Sequence, residues 1–293
     1  MLNHNLAACD ALIQTMKAGG YYRHIMECGP ELDRVKTWLH ALERPGSSKS
    51  LPLQHPDYPC FEGLSHEPFH PASRLPGALI LEQHAATIRD EWRALSERDF
   101  VFYNPPKMRN VWALHLFNYM GVSLQTVSPQ CPQTHALIGS LPGVCLDYPW
   151  GDALFSVHTA DSHLAAHCSV DNLRIRCHLG LQIPPGCSIR VGTETRSWND
   201  GRALLFEDSF EHEVWNRGET PRAILILDFW HPDLTAIEIE ALTAGFRKAE
   251  IRKQIMFRRL EMIQRGPESY ASHLWQQIEQ ADADPLVRRY WPG

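Results

Sequence analysis

The chain has 293 residues, 44% hydrophobic and 21% charged, which excludes intrinsic disorder as its main state and allows one large domain or two modest ones. Its 28 basic and 34 acidic residues leave a formal charge of −6, the wrong sign for coating nucleic acid or anionic lipid. No aliphatic run approaches the ~18 apolar residues of a membrane span, and the opening MLNHNLAACDALIQTMK lacks the basic n-region and unbroken apolar core of a signal peptide, so a cytoplasmic location is expected.

Residues 1–44 read as helical, with apolar positions at Leu6, Leu12, Ile13 and Met16, then at Leu32, Val35, Trp38, Leu39 and Leu42. Pro45-Gly-Ser-Ser-Lys-Ser, followed by Pro52, Pro56 and Pro59, reads as a linker. One helix is expected from about Ala78 to Leu95. Between Val111 and Phe229 the pattern changes to short strands separated by turns: Val111–Phe117, Ala153–His158, Leu173–Ile183, Ser188–Val191, Ala203–Phe206, His212–Trp215 and Arg222–Phe229. Strands without intervening helices point to a β-sandwich or barrel. After Pro232 the chain reads as helical to its end. Its basic stretch 246–265, with Arg247, Lys248, Arg252, Lys253, Arg258, Arg259 and Arg265, reads as the solvated face of a packed helix.

The eight cysteines include no CxxC pair, which argues against a zinc ribbon and for thiols. The sixteen histidines direct attention to metal chemistry. The segment 173–183 alternates strictly: Leu173, Ile175, Cys177, Leu179, Leu181 and Ile183 share one face, and Arg174, Arg176, His178, Gly180 and Gln182 the other. The polar face is either solvated or lines a ligand cavity. His167 precedes this strand, His212 lies 45 positions later at a turn-to-strand junction, and Arg222 opens an apolar strand ten positions beyond. Imidazoles suit Fe(II), and a guanidinium fork suits a carboxylate.

Three motifs fall between His167 and Thr235: RxRxHLGLxIP, ETRxWxxGxxLxFxDSFEHEVWN and DxWHPxLT. With them the run resembles the aspartyl/asparaginyl β-hydroxylase family of Fe(II)- and 2-oxoglutarate-dependent oxygenases. Weaker matches at Trp112 and Phe155-Ser156 extend the resemblance back to about residue 55. The resemblance implies a mainly β fold, a distorted double-stranded β-helix (jelly roll) over 55–235, with helical extensions at 1–54 and 236–293. It makes His167 and His212 the iron ligands and catalytic centre. Arg222, helped by Ser156, would take the distal carboxylate of 2-oxoglutarate, and Trp112, Arg176, Cys177 and His178 would line the cofactor pocket. Arg174 and Arg176 would hold a substrate carboxylate. Turnover would consume 2-oxoglutarate and O2, release succinate and CO2, and hydroxylate a C–H bond.

Ser169 stands where most related oxygenases carry an acidic ligand. The family has a small residue there, which implies that water fills the position; Asp171 is the nearest acid. Cys131 and Cys145 do not reproduce the family's cysteine pair, and His135 stands where one member is expected. No tetratricopeptide-like segment is evident. The expected substrate is therefore a small or carrier-tethered amino-acid unit hydroxylated at its β-carbon. The alternatives are another small metabolite, a lipid acyl chain, or a non-catalytic binding role. The terminal helices could support a homodimer.

Overall fold

The computed structural model describes residues 6–44, 51–103, 108–261, 263–265 and 268–292. The linker expected at 45–50 lies outside the described residues. The N-terminal region forms α1 (Leu6–Ala18), α2 (Tyr21–Glu27) and α3 (Asp33–Glu43). The apolar positions Val35, Trp38, Leu39 and Leu42 of α3 are all buried, as their spacing on one helical face predicts. The single helix expected near 78–95 is two, α4 (Pro76–Gln83) and α5 (Ala85–Arg93), because His84 leaves the helical basin at φ −100° and ψ 7°. A further helix, α6 (Pro132–Ser140), stands among the strands where none was expected; Pro132 opens it, at a position where a missing N–H costs nothing.

The C-terminal region forms α7 (Ala236–Arg247), α8 (Ala249–Leu260), α9 (Glu268–Gln280) and α10 (Pro285–Tyr290). Thr235 and Glu238 form a capping box that fixes the start of α7. The region is not helical throughout, since Ile263–Arg265 adds a strand to the main sheet.

The strands are β1 (Phe69–His70), β2 (Val101–Tyr103), β3 (Met108–Arg109), β4 (Trp112–Tyr119), β5 (Val122–Ser123), β6 (Ala153–His158), β7 (Ser162–His167), β8 (Arg174–Gln182), β9 (Cys187–Val191), β10 (Glu194–Arg196), β11 (Ala203–Phe206), β12 (His212–Asn216), β13 (Arg222–Trp230) and β14 (Ile263–Arg265). The larger sheet runs β1-β11-β8-β13-β6-β4-β2-β14, with β5 on β4, and the smaller runs β10-β9-β12-β7-β3. Every paired strand is antiparallel. The expectation of a mainly β protein is corrected: 41% of the chain is helical and 26% is strand. The terminal helices and α4–α6 account for the difference.

The larger sheet is buried on both faces. Ile175, Cys177 and Leu179 of β8 lie with Leu225, Leu227 and Phe229 of β13 in a cluster that also holds Ala78, Leu81 and Ile88 of α4 and α5. The opposite face belongs to a second cluster that extends into the terminal helices through Met16, Trp38, Phe246 and Ile255. Arg174, Arg176 and His178 of β8 and Arg222 of β13 occupy this second face, by the period-two alternation of a strand. Gly180 is needed on it because a Cβ there would lie 2.3 Å from the carbonyl oxygen of Asn199. That close approach seats the 197–202 turn, and with it Trp198, against β8.

Candidate active site

His167 ends β7 and His212 begins β12, and the two are paired across the ladder. A register shift between His212 and Val214 bulges the strand at this point, a device that re-aims side chains. The imidazole centroids are 4.1 Å apart. His167 Nδ1 lies 2.8 Å from the Ala165 carbonyl and His212 Nδ1 lies 3.0 Å from the Phe210 carbonyl. A carbonyl only accepts, so each Nδ1 carries a proton, and in the neutral ring this leaves Nε2 with the lone pair, the tautomer a metal ligand needs. Burial, then the neighbouring His167, holds His212 well below its ordinary pKa and therefore neutral.

Both rings line a cavity of about 370 Å³. Aromatic rings of Tyr103, Trp112, Tyr119 and Trp150 and aliphatic Leu114, Leu154, Leu164 and Ile226 form much of its wall. The polar wall is a buried charge network. Arg176 donates to both oxygens of Asp228, at 2.9 and 2.8 Å, and lies 3.3 Å from Asp208. Arg174 binds Asp171, the Trp150 carbonyl and the Ser169 hydroxyl. Arg259 of α8 donates to both oxygens of Asp152, at 3.0 and 2.9 Å, and stacks 4.1 Å from the Tyr119 ring centroid. Although burial opposes it, Arg176 and Arg174 hold Asp228 below the usual carboxylate range. Burial dominates at Asp208, whose carboxyl is pushed up and whose oxygens accept no hydrogen bond among the described residues.

Arg222, Ser156 and His178 lie one layer behind the open cavity. Trp112 connects the layers, donating from Nε1 to Ser156 Oγ at 2.9 Å. Arg222 is 1% exposed, with Nη2 3.4 Å from Ser156 Oγ and its guanidinium 4.9 Å from the Trp198 ring centroid. No carboxylate pairs with it among the described residues, and burial pulls its pKa down to about 10. Trp198 Nε1 donates to His178 Nδ1 at 3.2 Å, which puts the His178 proton on Nε2, a buried donor without a partner. His158 also has both ring nitrogens unpartnered, and burial and Arg222 hold it neutral. A buried cation flanked by unsatisfied neutral donors is a receptor for an anion.

The structure therefore brings His167, His212, Trp112 and Arg176 to one cavity and Arg222, Ser156 and His178 to the recess behind it. Two expectations are corrected. Cys177 is fully buried on the opposite face, in the cluster under α4 and α5, and touches neither space. Arg174 is enclosed by Asp171, Asp208 and Asp228 and is spent on them, so it offers no fork to a substrate. The stretch 246–265 is also not a solvated face: it breaks at Lys248, and Arg252 and Arg259 point inward. Asp208, Trp198 and His158 were not assigned to the site from the sequence, and Arg259 was read only as part of a solvated basic face. For the first two the signal was there, inside the matched motif around His212.

The family model for aspartyl/asparaginyl beta-hydroxylase matches residues 82–232, which covers both histidines, Arg222 and the recess. This chain belongs to the aspartyl/asparaginyl β-hydroxylase family. Aspartate beta-hydroxylase domain-containing protein 2 of Xenopus tropicalis is 36% identical over 177 residues, covering 57% of this chain and 48% of that protein. Mouse aspartate beta-hydroxylase domain-containing protein 1 is 31% identical over 211 residues, covering 69% and 58%. Human aspartyl/asparaginyl beta-hydroxylase is 33% identical over 169 residues, covering 56% and 22%. The chain thus spans about half or less of the length of most of these relatives. Among solved structures, a Pseudomonas putida prolyl-4-hydroxylase aligns at 14% identity with a TM-score of 0.30, over 56% of this chain and 92% of that one. A Burkholderia pseudomallei 2OG-Fe(II) oxygenase family protein aligns at 12% identity with a TM-score of 0.36, over 52% and 81%. No helix among the described residues is long and apolar enough to cross a membrane. No two cysteines form a disulfide.

Proposed function

We propose that this member of the aspartyl/asparaginyl β-hydroxylase family is an Fe(II)- and 2-oxoglutarate-dependent oxygenase built on a distorted double-stranded β-helix, and that it hydroxylates a C–H bond of a small, amino-acid-derived substrate. The observation that carries the reading is the juxtaposition of two imidazoles that donate from Nδ1 to backbone carbonyls with a buried arginine that has no acidic partner.

The residues fit the groups the family implies. His167 and His212 would hold the iron through Nε2. Solvent and cosubstrate would fill the positions that the two imidazoles leave. Arg222 would take the distal carboxylate of 2-oxoglutarate, with Ser156 and the Nε2–H of His178 as further donors. The bound iron and cosubstrate supply the oxidising power for C–H hydroxylation. The chain supplies the rest. The carbonyls of Ala165 and Phe210 fix the ligand tautomers. Trp112 and Trp198 orient Ser156 and His178. The aromatic wall keeps water from the reacting face. Arg176 is also paired with acids, Asp228, Asp208 and Asp152, but its side chain is 19% exposed where that of Arg174 is 1%, so it presents its remaining edge to the cavity and is our candidate for a substrate carboxylate.

The aromatic and aliphatic lining favours one second reading, in which the hydroxylated carbon belongs to an acyl or other apolar chain. Incubation with Fe(II), 2-oxoglutarate and candidate substrates tests both, with succinate release and a 16 Da mass gain as readouts. Amino-acid-derived substrates should gain the mass. Gain only on acyl substrates would replace the first reading by the second, and no succinate under any condition would leave a binding protein.

A further inference from the structure

Three arginines among the described residues are essentially inaccessible: Arg174, Arg222 and Arg252. Arg174 is surrounded by three aspartates. Arg222 and Arg252 have no carboxylate within ion-pair distance among the described residues, and the Nε of each is buried without a partner. Both are pulled down to about 10, in each case first by burial. An uncompensated buried cation is destabilising and is retained where something offsets it. For Arg222 the recess behind the two histidines supplies a reason. Arg252 lies outside that site and outside the 82–232 segment that matches the family model.

Arg252 projects from α8, 3% exposed, into the floor of a separate cavity of about 520 Å³ between the β4–β5 turn, the loop at Asp147 and α9. Its Nη2 donates to the Asp147 backbone carbonyl at 3.1 Å. Gly121, at φ +72°, lets the β4–β5 turn come close, since a Cβ there would lie 2.8 Å from that same Nη2. Arg247 on the wall is committed to Asp284 at 3.1 Å and Asp147 at 3.8 Å. His273 donates from Nε2 to the Ser123 carbonyl at 3.0 Å, which leaves Nδ1 as an acceptor. The amide of Gln277 completes a polar wall.

We propose that this cavity is a second ligand site, in which the Arg252 guanidinium takes the carboxylate of a small amino acid or similar zwitterion. The planar fork of an arginine matches a carboxylate. Of the two acids on the wall, Asp284 is held by Arg247 and by the start of α10, and Asp147, 3.8 Å from Arg247, sets the class: it repels polyanions such as nucleotides and attracts an ammonium group. Asp147 is 63% exposed at its side chain and can turn toward one.

Calorimetric titration with glycine, acetate and inorganic phosphate tests the site. The full chain is used in an Arg222→Gln background, so that the other unpaired arginine contributes nothing. Glycine should bind saturably, and at least tenfold more tightly than acetate or phosphate. Arg252→Gln should weaken glycine at least tenfold. Gln277→Trp, an exposed position on the wall, should do the same by filling the cavity, and guards against an Arg252 variant that fails to fold. Absence of saturable glycine binding, or glycine binding unchanged in Gln277→Trp, overturns the site. Equal binding of acetate, or tighter binding of phosphate, overturns the zwitterion class.

Discussion

His167 and His212 are paired across the β7–β12 ladder, and each gives its Nδ1 proton to a backbone carbonyl two residues before it in its own chain segment. The backbone that pairs the strands thus also fixes the tautomer and orientation of both rings. His212→Ala and His167→Ala should each abolish Fe(II) binding, measured by metal content after desalting, and turnover. The circular dichroism spectrum should be retained, because neither substitution removes a backbone group from the β7–β12 pairing. Full activity in either variant would remove it from the metal site.

Arg222→Met separates binding from stability. Loss of the charge should raise the 2-oxoglutarate requirement by about a hundredfold or more, from ~3–5 kcal/mol for one side of a buried charge pair. Without cosubstrate the same variant should melt at or above the wild-type temperature, since it removes an uncompensated buried cation. A change in requirement of under threefold would place the cosubstrate elsewhere.

Asp171, the acid nearest to His167 in the matched segment, serves the fold. It accepts from Tyr148 Oη at 2.8 Å, the Leu173 N–H at 3.1 Å and Arg174 Nε at 3.2 Å. Asp171→Ala should cost about 3–5 kcal/mol by leaving these donors and Arg174 short of an acceptor, yet its folded fraction should still bind Fe(II). Ser169→Ala removes one acceptor of Arg174 and should cost about 1 kcal/mol. If Asp171→Ala loses iron as completely as His167→Ala while folded, Asp171 is a ligand.

Glu238 gives a pH signature. Burial opposes its ionisation, but Arg34 and the capping box at Thr235 win, and its pKa falls below its ordinary 4.5. A carboxyl depressed on folding contributes stability that is complete above its unfolded value and lost as pH falls through the folded one. Melting temperature should therefore drop below about pH 4.5 more steeply in the wild type than in Glu238→Gln. Parallel acid limbs would show that the pair carries no linkage.

Strands with strong alternation or long apolar runs were legible from sequence, and Ala153–His158 and Ala203–Phe206 are found at the expected bounds. The strand that carries His167 was not. Ser-His-Leu-Ala-Ala-His has one large apolar residue, and its strand state comes from pairing with β12 and β3. Two-residue strands such as β1 and β3 are too short to show a period. In the site, parity placed Arg176 and His178 on one face correctly, and the same parity puts Cys177 on the other, against its assignment to the cofactor pocket. The fate of Arg174 depended on Asp171, Asp208 and Asp228 converging from separate segments, which no local pattern encodes.

Helices α1–α3 are fastened to α7 and to the segment at Trp291. Tyr21 Oη donates to the Ala241 carbonyl at 2.7 Å, Arg34 donates to both oxygens of Glu238, and the final turn returns Trp291 beside Tyr21, with ring centroids 5.1 Å apart. A nascent chain emerging from the ribosome therefore holds α1–α3 long before their partners exist. These helices expose Met16, Tyr21 and Trp38 until α7 has been made, so this layer can close only after residues 236–247 have emerged. Ribosome-bound chains halted before residue 236 should be far more open to protease within α1–α3 than the released protein.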